Sequence, residues 1–441
     1  MINLFNKINR LQKHSLRQHG AVLMVMLVIL VVGASALLLN SLSNTAIHTE
    51  RDKITANVLA QAKEALIGFS VSVDLSVSGK RPGDLPCPDI DNDGLANSPC
   101  SGNALGRLPW KTLGLSDLRD SSGEHLWYAV SSNFKNSPRT SCALSGQLGC
   151  LNSDSVGTIT IRSPDGTITN DATIGSGVVA VIIAPGTVLQ RTDQPSAQDR
   201  SITGINNPIN YLDIAPIEDN ANFTDSNING FVQGSIKDSS GRFILNDQLL
   251  IITQDNIMQA IQKRVAGEVK QCLNEYANPL SGGFMRYPWA AKLDPAFPVS
   301  YSDTSGQLFG RIPDTAFTMT DTDSASAMFS SWVGNCKIIS NSGWWLNWKE
   351  IVFFGLADAY KPSSTPSPSC GTCLTVNPPS TSTDKKFIVI VSGKKLLGQN
   401  RSSNTDKGTL SNYLESGNAD GVTPFEQQPN SPTFNDTVIF Q

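Results

Sequence analysis

The chain has 441 residues, which is long enough for two or three domains. Only 16% of the residues are charged and the formal net charge is −4, so there is no electrostatic reason to expect nucleic acid as a partner. The cysteines form an even set of 8, which indicates disulfides in a chain that carries an export signal.

The N-terminal segment is basic and leads into an apolar run. Residues 1–20 contain no acidic side chain and carry Lys7, Arg10, Lys13 and Arg17. The run Ala21–Leu39 is about as long as a helix that spans a bilayer core. Positive charge before the run predicts a single membrane pass, with the N-terminus in the cytoplasm and the bulk of the chain across the membrane.

Three interpretations of this segment are open. A secretory signal would end at a small-residue cleavage site such as Ala34–Ala36, although the apolar run continues to Leu39. An uncleaved membrane anchor is the second. In the third, a basic leader that ends in Gly20 directly before an apolar helix resembles the leader of type IV pilins and type II secretion pseudopilins. The resemblance implies a prepilin peptidase that cuts after Gly20 and methylates Ala21. It also implies a single-pass protein of the bacterial inner membrane, with its bulk in the periplasm or on an extracellular filament.

The chain departs from that family's pattern at Val25. Major subunits of the family carry Glu at this position, where the carboxylate pairs with the N-terminal amine of a neighbouring subunit inside the filament core. A charge buried there is tolerated only with a partner. A subunit without it resembles a K-type pseudopilin or a related minor pilin, which the family places at the filament tip.

A second helical pattern continues beyond the apolar run. One face carries apolar residues three or four positions apart, at Ile54, Val58, Ala62, Leu66 and Phe69. No proline occurs from Ala21 to Gly79, so we expect a single helix of roughly 50 residues.

The chain also contains an internal duplication. The same helical face recurs 207 residues later, at Ile261, Val265, Val269, Leu273 and Tyr276. Further pairs of segments follow in the same order: GRLPW and GRIPD, EHLWYAVSSNFK and KEIVFFGLADAYK, AVIIAPGTVLQR and FIVIVSGKKLLGQNR, NYLD and NYLE, FILNDQLLIIT and TFNDTVIF. The apolar, β-branched segments VVAVIIA and KFIVIVS indicate buried central strands.

We therefore expect an α+β fold of the pilin-like type. A long N-terminal helix, membrane-spanning in one half and amphipathic in the other, would pack on an antiparallel sheet, and a second pilin-like repeat would follow. The predicted organisation is a leader at 1–20, a transmembrane and assembly helix at 21–49, and α+β repeats at 50–254 and 255–441.

The duplication divides the cysteines equally between the repeats. The economical pairing joins neighbours in each repeat: Cys87 with Cys100, Cys142 with Cys150, Cys272 with Cys336, and Cys370 with Cys373. Sequence leaves the connectivity open, since four cysteines allow three pairings. The CGTC segment could also be a redox pair or half of a zinc site, but its Pro/Ser-rich surroundings favour a structural loop disulfide.

The segment CPDIDNDGLANSPC between Cys87 and Cys100 is the sharpest candidate for chemistry. Alternating acids followed by a glycine resemble the start of a calcium loop, with Asp89, Asp91, Asp93 and Asn97 as the candidate ligands. Cys100 stands where an EF-hand has its closing Glu. The alternative is an acidic turn pinned by a disulfide. A weaker candidate calcium loop contains Glu415, Asn418 and Asp420.

Catalysis has little support in the sequence. Of the 4 histidines, His125 alone lies in the body of the chain, and no nucleophile–base motif or phosphate-binding loop is present. We therefore expect no enzyme activity. Four tryptophans cluster in the second repeat and predict core packing, with an exposed binding platform as the alternative: Trp332, Trp344, Trp345 and Trp348.

The expected function is structural. The resemblance implies a minor or tip subunit of a type IV pilus or type II secretion pseudopilus, active in filament assembly, protein secretion or surface contact. Its partners would be other pilins or pseudopilins through the N-terminal helix, the prepilin peptidase, the membrane, and secreted cargo or a surface ligand. The rival interpretations are a membrane-anchored adhesin or binding protein outside any filament, and a periplasmic enzyme.

Overall fold

The computed structural model describes residues 19–100, 105–135, 150–201, 205–224, 230–277, 285–293, 301–314, 331–336, 338, 343–362, 370–371, 373–378 and 383–441. The side chains of residues 19–25, 28, 32–45 and 404 are outside this description. Residues 1–54 and 55–441 form two compact units. The helices are α1 (His19–Ser72), α2 (Gln254–Ala277), α3 (Trp345–Trp348) and α4 (Asn404–Lys407).

The strands are short, at two to five residues each. In the first half of the chain they are β1 (Leu105–Arg107), β2 (Trp127–Val130), β3 (Thr160–Arg162), β4 (Ile168–Asn170), β5 (Ala180–Ala184), β6 (Gly230–Val232), β7 (Ile236–Lys237), β8 (Phe243–Leu245) and β9 (Gln248–Ile252). In the second half they are β10 (Phe309–Arg311), β11 (Val352–Leu356), β12 (Val376–Asn377), β13 (Phe387–Val391), β14 (Phe425–Glu426) and β15 (Thr437–Phe440).

Two four-stranded antiparallel sheets have the same layout. One has the order β1-β2-β5-β9 and the other the order β10-β11-β13-β15. Their registers correspond, because Trp127 pairs with Ile183 in one and Phe353 with Ile390 in the other. All residues of β5 and β13 are buried, as expected for continuous apolar runs at the centre of a covered sheet.

Smaller sheets complete the described structure. The strands β4, β3 and β6 form a three-stranded sheet, in which β3 runs antiparallel to β4 and parallel to β6. β7 pairs with β8, and β12 pairs with β14. Helix α2 packs against β13 and β15 and buries Ile261, Val265, Val269 and Leu273 in the core.

The predicted pilin-like fold is wrong. The described structure is a mixed α/β protein with several small sheets and few helices. The helix that lies along a sheet is α2, and α1 forms no such layer on the sheets of the described residues. Ala62 and Leu66 of the predicted α1 face are buried, but Ile54 is 43% exposed. Periodicity shows that one face of a helix is apolar, and it does not show what covers that face.

The prediction of a transmembrane helix is also wrong. Within the residues described, no helix has both the length and the apolar character that crossing a membrane requires. This finding overturns the predicted single-pass location in the inner membrane and removes support for describing the chain as a pilin or a membrane protein. The length of an apolar run shows that it could span a bilayer. It does not show that a bilayer surrounds it.

The processing site stays a prediction. Residues 1–18 lie outside the described residues. Gly20, Ala21 and Val25 lie within α1, and their side chains are not described. The bounds of the repeats at 50–254 and 255–441 stay a prediction as well.

Candidate functional site

The loop between Cys87 and Cys100 is anchored at both ends. A disulfide joins the two cysteines, whose Cα atoms are 5.5 Å apart. The N–H of Asp89 donates to the carbonyl oxygen of Arg107 at 2.9 Å, and the Asp89 carbonyl accepts from the N–H of Arg107 at 2.7 Å. Since Arg107 belongs to β1, the start of the loop is fixed to the first four-stranded sheet.

The Asp89 side chain organises this loop. Its carboxylate accepts hydrogen bonds from the backbone N–H groups of Asp91 at 3.2 Å, Asn92 at 2.6 Å and Gly94 at 2.7 Å. Asn92 and Gly94 have left-handed backbones, with φ of 63° and 85°. A Cβ at position 94 would lie 2.8 Å from the indole of Trp110, so the turn requires glycine there.

Three of the four predicted calcium ligands come together. The carboxylate oxygens of Asp89, Asp91 and Asp93 lie within 4.8 Å of one another, with Asp89 buried and the other two exposed. Burial raises the pKa of Asp89, while a hydrogen bond with the Asp89 carboxyl lowers the pKa of Asp91. Carboxyl groups this close repel each other when ionised, and a hard cation relieves that repulsion.

Asn97 has a different primary role from the one predicted. Its Oδ1 accepts the backbone N–H of Ile90 at 2.7 Å, so the side chain closes the loop on itself. An amide oxygen has two lone pairs, and one of those on Oδ1 of Asn97 is used by this hydrogen bond. Only the other lone pair could bind a cation.

His125 supports the loop from outside. Its Nδ1 lies 2.8 Å from Oδ1 of Asn92, and its Nε2 lies 3.0 Å from the carboxylate of Asp117. Burial lowers the pKa of His125, which favours the neutral imidazole. The histidine therefore bridges the loop and the segment before β2, which is a structural role.

A pocket of about 580 Å³ opens beside the loop. Its wall includes Pro88, Asp89, Asn97, Arg107, Trp127, Asn206 and Pro208. The sequence did not single out Arg107 or Trp127, because the pocket forms only where β1, β2 and two loops meet. The sequence feature that could have pointed to Arg107 is the repeated Gly-Arg pair, because it aligns Arg107 with Arg311 in the duplication.

The weaker acidic candidate belongs to a buried hydrogen-bond network. Oε2 of Glu415 accepts the backbone N–H of Asn435 at 3.1 Å, and Nδ2 of Asn418 donates to Oδ2 of Asp436 at 3.0 Å. These contacts hold loops to β15. Glu415 and Asn418 therefore have structural roles, and Asp420 is exposed.

Trp344, Trp345 and Trp348 are almost fully buried, which confirms the prediction of core packing for these three, while Trp332 is partly buried against the same core. A binding platform built on these three is thereby excluded.

In the structure disulfides join Cys272 to Cys336 and Cys370 to Cys373. The residue Cys142 lies outside the described residues, so its bond with Cys150 stays a prediction.

Comparison of the chain with protein-family models, with curated proteins and with solved structures finds no match. The resemblance to pilins and pseudopilins consequently stays a prediction, and the function has to be argued from the site and the surface.

Proposed function

We propose that the chain is a structural, non-catalytic subunit of a multi-subunit filament, in which it occupies a minor or tip position. The observation that carries the proposal is the apolar surface of α1 between residues 26 and 31. Five side chains there are more than half exposed: Met26, Leu27, Ile29, Leu30 and Val31. Successive helical residues point about 100° apart, so this stretch is apolar around its circumference.

An apolar surface of this kind is unfavourable in water. Each large apolar side chain contributes about 1.5–3 kcal/mol when it is transferred from water to an apolar environment. Helices that are apolar all round are normally enclosed by other apolar surfaces. Equivalent helices of neighbouring subunits would supply such a surface, and a shared helical core would join the subunits.

The Asp89 loop fits a supporting role in this proposal. We propose that Asp89, Asp91 and Asp93 bind a calcium ion that stabilises the loop, with loop carbonyls and water completing its oxygen ligands. The disulfide and the three backbone hydrogen bonds to Asp89 already hold the loop in one conformation. Calcium would then add stability to the folded subunit.

A matched pair of variants tests the filament role. Leu30→Asp places a charge on the apolar part of α1, and Ile174→Asp makes the same kind of change at a 78% exposed residue of the body. Both changes are at surface positions, so both proteins should keep the fold. We expect the Leu30→Asp protein to be absent from filaments isolated from the producing cells. The Ile174→Asp protein should be present in them.

The proposal fails if both proteins fractionate identically with filaments, or if the unmodified chain is never found in a filament fraction. The second result would favour the alternative function, a binding protein that does not enter a filament. The pocket beside β1 is the observation on which that alternative depends.

A further inference from the structure

Arg107 is a buried cation that contacts two aromatic rings. It is 4% exposed, and its guanidinium carbon lies 4.8 Å from the ring centre of Trp127 and 4.3 Å from that of Tyr211. Its Nη2 donates to the carbonyl oxygen of Ile205 at 2.6 Å. These contacts and the hydrogen bond to Ile205 restrict the guanidinium, so its remaining N–H groups have a defined direction.

The charge of Arg107 lacks the compensation that its counterpart has. In the second sheet, Arg311 occupies the corresponding strand position, and its Nη2 lies 3.8 Å from Oε2 of the buried Glu350. The duplication matches Glu350 with Glu124, but Glu124 pairs with Arg200 at 3.3 Å. Among the described residues, no carboxylate forms a salt bridge with Arg107. Burial lowers the pKa of Arg107, and the neighbouring carboxylates of Glu124 and Asp89 offset this effect only in part.

Two buried hydrogen-bond donors at the pocket have no acceptor. Arg107 and Trp127 both line the 580 Å³ pocket, and Nε of Arg107 and Nε1 of Trp127 have no hydrogen-bond partner within the described structure. Buried donors without an acceptor are unfavourable, and an acceptor bound in the pocket would satisfy the guanidinium of Arg107; in the part of the chain that is described, Nε and Nη1 of Arg311 are unpaired as well. The Asp89 carboxylate, which also borders the pocket, is already bound by three N–H groups of its own loop.

The rest of the pocket wall carries groups suited to hydroxyls. Asn97 and Asn206 bring side-chain amides, which both donate and accept, while Pro88, Pro99 and Pro208 provide flat apolar surfaces. A volume of 580 Å³ lies within the usual range for small-molecule sites.

We propose that this pocket binds an acidic sugar, whose carboxylate accepts from Arg107 and Trp127 and whose hydroxyls bond to Asn97 and Asn206. The ligand carboxylate supplies the anion that Glu350 supplies in the second sheet. The pocket is made by residues outside α1, so this binding function is independent of any role in a filament.

Calorimetric titration of the full-length protein with glucuronate and galacturonate tests the proposal, with glucose and galactose as neutral controls. We expect saturable binding of a uronate, no binding of the neutral sugars, and about tenfold or more weaker binding by Arg107→Met. Arg242→Met is the matched control, because that side chain is 83% exposed and is not part of the pocket wall. It should bind like the unmodified protein.

The variant Asn206→Ala provides a second measurement, since Asn206 is exposed at the pocket and its replacement should not disturb folding. We expect Asn206→Ala to weaken uronate binding as well. Its affinity tests the proposal even if the Arg107→Met protein does not fold. Absence of uronate binding, unchanged affinity in Asn206→Ala, or binding of inorganic sulfate in place of uronate would each overturn the proposal.

Discussion

The backbone N–H of Asp213 donates to Oδ2 of Asp247 at 2.9 Å, which brings two carboxyl groups into one buried network. The backbone N–H of Glu415 makes the same bond to Oδ2 of Asp436 at 3.1 Å. The side chains of Asn220 and Asn418 donate to these same two oxygens. The duplication seen in the sequence is therefore matched by these two pairs of buried hydrogen bonds.

Asp247→Asn should flatten the pH dependence of stability. Burial raises the pKa of Asp247 well above its ordinary value of 3.8, so the folded protein keeps a proton that the unfolded chain releases. Stability must then fall as the pH rises above 3.8, by at most about 1.4 kcal/mol per pH unit for this group. An asparagine at position 247 still has an oxygen that accepts the N–H of Asp213. It has no acidic proton, so it does not titrate in this pH range.

The measurement is urea denaturation of both proteins between pH 4 and pH 7. Asp436→Asn is the matched variant in the second half, because burial also raises the pKa of Asp436 well above its ordinary value. Equal slopes of unfolding free energy against pH in the unmodified and variant proteins would contradict the prediction.

Calcium should raise the melting temperature of the protein by a few degrees when present at about a hundred times its dissociation constant. Asp91→Ala should abolish this increase, because it removes one of three clustered carboxylates. Asp420→Ala, which alters the weaker acidic loop, should leave the increase intact. Thermal melts of each protein with calcium and with chelator measure these effects. If chelator does not change the melting temperature of the unmodified protein, the calcium site is excluded.

Gly94→Ala should destabilise the protein more than Gly114→Ala. Both glycines have positive φ, 85° and 68°, so both substitutions strain the backbone. A Cβ at Gly94 would also clash with Trp110, whereas nothing lies within 4 Å of a Cβ at Gly114. We expect about 1 kcal/mol at Gly114 and about 2–3 kcal/mol at Gly94, measured by chemical denaturation. Equal losses would show that the loop can move away from Trp110.

Asp154→Ala should lower the stability by about 3 kcal/mol, since it leaves a buried guanidinium without its anion. Oδ1 of Asp154 lies 3.0 Å from Nη1 of Arg401, which is 3% exposed. The matched control is Asp193→Ala, because Asp193 is 37% exposed and its partner Arg191 keeps Asp219. Urea denaturation should show a smaller loss for the control, and equal losses would contradict the prediction.

The Asp154–Arg401 pair also bears on the predicted second repeat. It joins residues 247 positions apart, on opposite sides of the predicted boundary at 254. A fragment of residues 255–441 would lose this carboxylate, so we expect it to be less stable than the same segment in the full chain.

The sequence by itself determined the features that depend on local pattern. Two continuous β-branched runs indicated the buried strands β5 and β13, and clustered tryptophans indicated core packing. The short spacing of Cys87 and Cys100 made their loop a natural disulfide, and the alternating acids within it predicted the convergence of Asp89, Asp91 and Asp93. Each of these signals lies within about 15 residues, where spacing alone constrains geometry.

The tertiary structure decided the features that depend on contacts between distant segments. It divided the strands among several small sheets, and it placed only α2 along a sheet, although the pattern had suggested this for both α1 and α2. It left Arg107 facing a pocket while the equivalent Arg311 gained Glu350. Helical periodicity and a repeated Gly-Arg pair are identical in both halves, so only the surroundings of each copy could set them apart. Burial and charge compensation are properties of those surroundings, and local sequence does not contain them.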